Sequence, residues 1–427
     1  MNLKNSLTKK FQNNKKLLNS FKWRLLQILF KQGTTALMFF IATYFLTKND
    51  MGIYNYVSSA LLLLALITDF GISTSTSRYI ALYKTEDREK VKKVFLNSGI
   101  IILGFSILVA IVVVLLGDAI FFEESRKYLM YALPMIFIYP MTSLMDGIYR
   151  GLKRFKKLSI LTILNSVVGI GASYFLVTSF GLLGAILSPL VFFTSYLLFL
   201  ILFHGEYQFK IEKKILRDIV TYAFFFGVAA IGHYLFSKVN ILILGQYNLL
   251  EEIAVYELIT KFNTEFILPF VVLGAVIAPN VVEIFSKNEY QQLRDLFKKL
   301  LLLTVLMGTI FIPVAMLLSR FLIGIIFPAY LGDILDTLLL PVVLTNAVVV
   351  PVVVINAGMI TSTGHAKLMA IQNILAGVVN VVLNILIIGR YGYVGVVWVT
   401  FVVQLVSTIV LYLVYYSKLK RLGECSK

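Results

Sequence analysis

The chain has 427 residues, of which 59% are hydrophobic and 14% charged, and its mean hydropathy is +0.87. Soluble globular domains carry about 25% charged residues, so the composition excludes a soluble fold and places most of the chain in a membrane. The formal net charge of +17 has to be located along the chain before it can be taken as a sign of nucleic-acid binding.

The chain opens on a basic segment, residues 1–22 of MNLKNSLTKKFQNNKKLLNSFKWR. It runs straight into a full-length apolar stretch without a small-residue cleavage site, so it is expected to be an uncleaved first anchor and not a leader. Such a segment suits the anionic inner leaflet. About 20 apolar residues cross a bilayer. Runs of that length recur at 23–47, 53–80, 94–116, 128–149, 158–178, 182–203, 217–244, 253–284, 300–326, 330–361, 367–389 and 392–416. The expected fold is therefore all-α and polytopic, with about 12 transmembrane helices. The eighth and tenth runs are long enough to tilt, bend or break.

With both termini on one side, 30 of the 39 Lys and Arg fall on that side's connections and span ends and five on the other side's; four (Lys31, Arg78, Lys238, Lys261) lie deeper within spans. The positive-inside rule accounts for this distribution and makes both termini cytoplasmic. No nucleic-acid partner is needed to explain the charge. The lone Cys425 excludes an intrachain disulfide. Three His without Cys/His clustering give no metal centre. No P-loop, GxSxG or dinucleotide fingerprint is present, so no catalytic residues and no cofactor are expected.

Charges inside spans are functional candidates by default. The second span reads LITDFGISTSTSRYIAL at 66–82 and holds Asp69, Arg78 and five consecutive hydroxyl residues, Ser73 to Ser77. On one continuous helix Asp69 and Arg78 would point to opposite faces. Lys31, at similar depth on the first span, is then the expected partner of Asp69, either as a structural pair or in coupling and gating. Arg78 suits two roles, snorkelling to headgroups or a first contact for phosphate oxygens. Hydroxyl ladders pack helices closely or line a wet path. On the seventh and eighth spans, Lys238 lies at a depth matching Glu257, Lys261 and Glu265, which form an i, i+4, i+8 stripe. These four either neutralise one another or form a cavity wall with exchangeable charge. His233 is expected to be a plain hydrogen-bonding side chain. Asn380 and Asn384, four apart beside Gly377, are candidates for helix packing or for glycan contact.

The chain also repeats itself. Residues 151–187 and 364–398 each start with Gly and Lys nearby, run through a span, and reach an aromatic–Gly–x–x–Gly turn, FGLLG at 180–184 and YGYVG at 391–395. A weaker echo links MGIYNYV at 51–57 with EIAVYEL at 252–258. Two six-helix lobes of the same orientation follow, 23–207 and 208–417, joined through HGEYQFKIEKK at 204–214 and followed by a tail, 418–427.

GIYNY at 52–56, DFGI at 69–72 with Arg78, YRGLKRF at 149–155, KVNILILGQY at 238–247, Ala278-Pro279 with Glu283, GHAKLMAIQNILAGVVNVVLNILII at 364–388 and YGYVG resemble, in order and spacing, the polysaccharide or O-antigen flippases of the MOP exporter superfamily. The resemblance implies two six-helix lobes around a central cavity and alternating access. It implies an undecaprenyl-pyrophosphate-linked oligosaccharide as cargo, moved across a bacterial cytoplasmic membrane amid membrane lipid. Because no ATPase motif is present, the expected energy source is an ion gradient, with H+ or Na+ as the coupling ion, or substrate flux; a polymerase and glycosyltransferases of the same pathway are candidate partners. A cation-coupled drug or metabolite exporter and a lipid II-type flippase share this architecture. A membrane glycosyl polymerase is disfavoured by the short outer connections.

Overall fold

The structure is a computed structural model. It describes the backbone of residues 2–86, 88–205, 208 and 210–425, and the side chains of these residues except 2–21, 85, 86, 88 and 425. The side chains of the basic segment 1–21, of Cys425 and of the tail end 426–427 lie outside the described residues, as do 206, 207 and 209 of the polar joint. Every regular element among the described residues is helical. Two compact units form, Met1–Leu46 with Ala60–Ala230, and Thr47–Ser59 with Ile231–Lys427.

The burial pattern is that of a protein solvated by lipid. Leu115 and Leu317 are each 73% exposed, while Asn165 and Asn263 are fully enclosed. Helices satisfy their own backbone in hydrocarbon, and the polar side chains turn inward to hold helices together. This is a multi-pass membrane protein. By length and composition nine helices can cross a membrane among the described residues, or ten if one bent pair is a single span. That pair is α5 (Glu123–Tyr131) and α6 (Met135–Gly151), which meet at 50° just before Met135.

In the first unit α1 (Asn2–Phe45) packs along α7 (Phe155–Leu202). As one straight rod the 48 residues of α7 would reach about 72 Å, more than twice the ~30 Å hydrocarbon core. The rod instead folds back at Gly181, whose φ of 55° and ψ of −128° are not helical. The two arms then run antiparallel: Tyr196 pairs with Thr162, Ser195 with Asn165, and Gly184 faces Leu176. In the second unit α13 (Ala366–Cys425) folds back in the same way at Gly392 (φ 56°), pairing Gln372 with Ser407 and Asn380 with Thr400. Both breaks fall in the two aromatic–Gly turns of the sequence repeat. Substituting Ala at Gly181 or Gly392 places a side chain at a backbone conformation reserved for Gly. Each substitution is expected to cost about 1–3 kcal/mol, read as a lower melting temperature in detergent, although neither Gly has a neighbour within 4 Å of an added Cβ.

The second span is not continuous. α2 (Lys48–Asp69) ends at Phe70 and Gly71, both at positive φ (35° and 78°), and α3 (Ile72–Glu86) starts anew. The break seats on α8 (Lys213–Ser237): a Cβ on Gly71 would lie 2.5 Å from the Ala223 carbonyl oxygen, and one on Gly227 would lie 2.7 Å from that of Phe70. Beyond the break the hydroxyl ladder meets three neighbours. Ser75 donates to the Ile219 carbonyl of α8 at 2.8 Å. Thr76 bonds Ser98 of α4 (Arg88–Ile120) at 2.9 Å. The Ser73 and Ser77 carbonyls lie where Gly147 and Gly151 of α6 leave no room for a Cβ. The ladder is therefore a packing surface built on small residues.

The second unit continues with α9 (Val239–Gln246), α10 (Leu250–Ser286), α11 (Tyr290–Ile326) and α12 (Asp333–Ile355). A π-helical turn, Asn356–Ile360, leads from α12 into the connection before α13. There the Thr363 hydroxyl lies 3.0 Å from both His365 Nδ1 and the Tyr415 hydroxyl. Burial, and then the Lys418 charge, hold the His365 imidazole below its ordinary range, against a smaller opposing hydrogen bond to Thr363. The unfolded chain therefore binds this proton more readily than the native one. Stability is expected to fall as pH drops below the ordinary His value of 6.5. His365→Gln should flatten that slope in melting curves recorded between about pH 7.5 and 5.5.

Candidate functional site

A cluster of charges lies within the first unit and centres on Asp146. α6 carries Asp146 and Arg150 four residues apart, on one face. α1 carries Arg24, Gln27 and Lys31 along one stripe, and the second arm of α7 supplies Tyr196. The Arg150 Nε lies 2.9 Å from Asp146 Oδ2, and the Arg24 Nη1 lies 3.9 Å from the same oxygen. Gln27 Nε2 donates to Asp146 Oδ1 at 3.1 Å, and Arg24 donates to Gln27. Lys31 Nζ stands 5.6 Å from the centre of the Tyr196 ring, in the electrostatic reach of Asp146. The acid is nearly enclosed, with 8% of its side chain exposed, whereas Arg24 and Arg150 keep 30% and 33%. Three cations around one carboxylate leave a local excess of positive charge.

The expected pair between Lys31 and Asp69 does not form. Asp69 instead accepts hydrogen bonds from the Ser73 backbone N–H (3.2 Å) and the Ser73 hydroxyl, capping the first turn of α3 after the Phe70–Gly71 break. The opposite-face geometry expected for Asp69 and Arg78 assumed a continuous helix and does not apply. Arg78 is exposed, and its guanidinium lies 3.9 Å above the Tyr222 ring of α8, with Tyr79 edge-on to the same ring. Stacking uses the flat face and leaves the N–H rim of Arg78 available for anions. No carboxylate pairs with it among the described residues.

In the second unit α8 ends at Ser237, and Lys238 stands at the break before α9. Its ammonium donates to both oxygens of Glu257 at 2.8 Å. Lys261 lies 3.8 Å from Glu265 one turn along α10. The four charges thus form two pairs, coupled because Lys261 also feels Lys238 and Glu257. Tyr54, Tyr234 and Tyr256 surround Glu257 within its electrostatic reach. His233 is exposed, and no ion pair reaches it among the described residues. Asn380 and Asn384 are fully buried. Asn380 donates to the Phe236 carbonyl at 3.2 Å, and Asn384 donates to Asn380 at 3.3 Å. Asn380 ties α13 to the end of α8, beside the close contact of Gly377 with the Gly232 carbonyl, and Asn384 braces Asn380 from within α13.

Asp146, Arg24 and Arg150 are absent from the candidates drawn from sequence. Each sits at the end of an apolar run, where a charge is ordinarily a headgroup charge. The signal available was the i, i+4 acid–base spacing in DGIYR at 146–150.

This architecture is the fold of MOP superfamily transporters. A multidrug resistance MATE family transporter of that superfamily superposes with a TM-score of 0.77, covering 95% of this chain and 100% of the other at 16% identity. A MOP superfamily transporter from Pyrococcus furiosus, described by the reverse polarity of its binding pocket, gives 0.65 over 96% of both chains at 16% identity. The polysaccharide biosynthesis protein family model matches residues 17–285, and the chain belongs to that family. A curated relative, the "Probable low-salt glycan biosynthesis flippase Agl15" of Haloferax volcanii, is 22% identical over 376 residues, covering 84% of this chain and 76% of its own length.

Proposed function

We propose that the protein is a flippase for a polyprenyl-pyrophosphate-linked oligosaccharide, of the O-antigen or capsule-repeat type, working by alternating access through about twelve spans in a bacterial cytoplasmic membrane. The observation that carries this reading is the Asp146 cluster. Its carboxylate is nearly enclosed, Arg24 and Arg150 stay about a third exposed, and Lys31 adds a third cation nearby. A pyrophosphate diester brings about two negative charges, which such an excess accommodates. Arg78, held flat on Tyr222, offers a further fork for phosphate oxygens. The polyprenyl tail stays in lipid while the glycan crosses. Lys238, Glu257, Lys261 and Glu265 are the exchangeable charges on which an H+ or Na+ gradient could act. A polymerase and glycosyltransferases would supply and consume the cargo.

The test is transfer of a synthetic polyprenyl-pyrophosphoryl sugar across vesicles holding the purified chain. Arg24→Ala and Arg150→Ala are each expected to slow transfer about ten- to hundredfold, the worth of one hydrogen bond to a charged group. Arg78→Lys should keep only part of the rate, since a point charge lacks the fork. Wild-type transport of an organic cation without transfer of the lipid would replace this reading with drug export.

Orientation is checked separately. Single cysteines placed in 84–93, 150–157 and 286–299 of a Cys425→Ser chain are expected to be labelled only from the cytoplasmic side, as the charge asymmetry requires. Labelling of any of the three from outside would reverse the topology.

A further inference from the structure

The first unit contains a cavity that the transport reading does not use. It lies where α4 ends and α5 begins, at the end of α4 away from its basic start at Arg88. Its volume is about 570 Å³, and Asp118, Phe121, Glu123, Arg126, Lys127 and Met130 line it. Two acids and two bases make it neutral overall. Their pairing is incomplete: Arg126 pairs with Asp118, whereas among the described residues Glu123 has no ion partner and Lys127 rests only on the Tyr128 ring at 5.9 Å. Arg126 Nε is buried without a hydrogen-bond partner, an arrangement proteins ordinarily avoid. One small space thus holds an unused buried N–H, an unpaired ammonium and an unpaired carboxylate.

The surroundings identify what would use them. Phe121 is buried beneath the charges. Along α4, Leu108, Ile111 and Leu115 are 57%, 51% and 73% exposed and form one apolar face leading up to the cavity. On a membrane helix that face meets acyl chains. We propose that the cavity binds the headgroup of a zwitterionic phospholipid with a primary ammonium, of the phosphatidylethanolamine class. Its phosphate accepts from Arg126 Nε and Lys127. Its ammonium donates to Glu123 and to the free side of Asp118. Its tails follow the apolar face of α4. A choline headgroup has no N–H to donate to the acids. A glycerol headgroup brings a net negative charge and no cation to answer Glu123.

The experiment is native mass spectrometry of the full chain with equal amounts of phosphatidylethanolamine, phosphatidylcholine and phosphatidylglycerol of the same acyl composition. Phosphatidylethanolamine is expected to be retained at least about tenfold over the other two. Glu123→Gln should bring it to the phosphatidylcholine level, and Arg126→Ala should reduce retention of both zwitterionic lipids. Lys127→Ala supplies the same information if Arg126→Ala fails to fold, which the lipid-free melting temperature reports. Equal retention of the three lipids, or an ethanolamine preference surviving Glu123→Gln, would overturn the assignment. Binding of free phosphoethanolamine without any lipid preference would also overturn it, giving the cavity to a soluble phosphate ester.

Discussion

Asp146→Ala is expected to remove most of the protein from the membrane, an effect larger than loss of any one of its cations. The substitution leaves Arg24, Lys31 and Arg150 facing one another across α1 and α6 with no counter-charge. Breaking a buried ion pair by deleting one partner costs about 3–5 kcal/mol, against a total stability of about 5–15 kcal/mol. Arg24 and Arg150 retain about a third of their exposure, so solvent screens part of the repulsion and the loss sits toward the lower figure. Arg150→Ala in the same chain should restore abundance, because the acid and its nearest base then leave together. Transfer of the pyrophosphoryl lipid should remain slow in that double variant, since the net excess of two positive charges is kept but the Arg150 guanidinium no longer reaches the phosphate from α6. The measurements are membrane abundance, melting temperature in detergent, and vesicle transfer. Wild-type abundance of Asp146→Ala would show that the carboxylate does not hold the cluster together.

The helical class, the family and the two hairpin turns were legible because each is written in extended pattern. Apolar runs of bilayer length need no tertiary knowledge, and FGLLG and YGYVG carry the Gly residues whose positive φ makes the turns. The break in the second span was harder to see. Phe70 and Gly71 interrupt a run whose hydropathy continues across them, and the seat of the kink is Ala223 and Gly227 on α8, more than 150 residues away. The partner of Asp69 was misjudged for a related reason. Depth matching looks for a base on another helix, whereas Ser73, four residues on, satisfies the carboxylate locally once the helix has stopped. Asp146, Arg24 and Arg150 escaped because a hydropathy boundary moves by several residues, and those residues decide whether a charge is solvated or enclosed. The hydroxyl ladder was assigned two roles, and the structure selects packing through Gly147, Gly151, Ser98 and Ile219.

The second large effect is expected at Lys238 and Glu257. The stripe of Glu257, Lys261 and Glu265 follows from helical spacing, but its division into two pairs depends on α8 stopping at Ser237, which lets the Lys238 ammonium reach both Glu257 oxygens at 2.8 Å. Lys238→Ala leaves Glu257 buried among Tyr54, Tyr234 and Tyr256 without its base. Lys238 is 31% exposed and Glu257 12%, so a loss of about 3 kcal/mol is expected, the lower end for a broken buried pair. Glu257→Ala should cost less, because Lys238 can extend toward solvent. Removing both should restore most of the stability, giving a coupling energy of about 2 kcal/mol in the double-mutant cycle, within the range for residues in contact. The same cycle on Lys261 and Glu265, which make a single contact at 3.8 Å where Lys238 makes two at 2.8 Å, should give well under half that coupling. Transport separates structure from mechanism. A Lys238→Ala, Glu257→Ala chain that accumulates normally and still moves its cargo makes the pair a brace for the α8–α9 break. The expected result is normal accumulation with transfer abolished, which places the exchangeable charge of the second unit at this pair. Additive losses in both abundance and transport would mean that the ammonium and carboxylate act independently despite their contact.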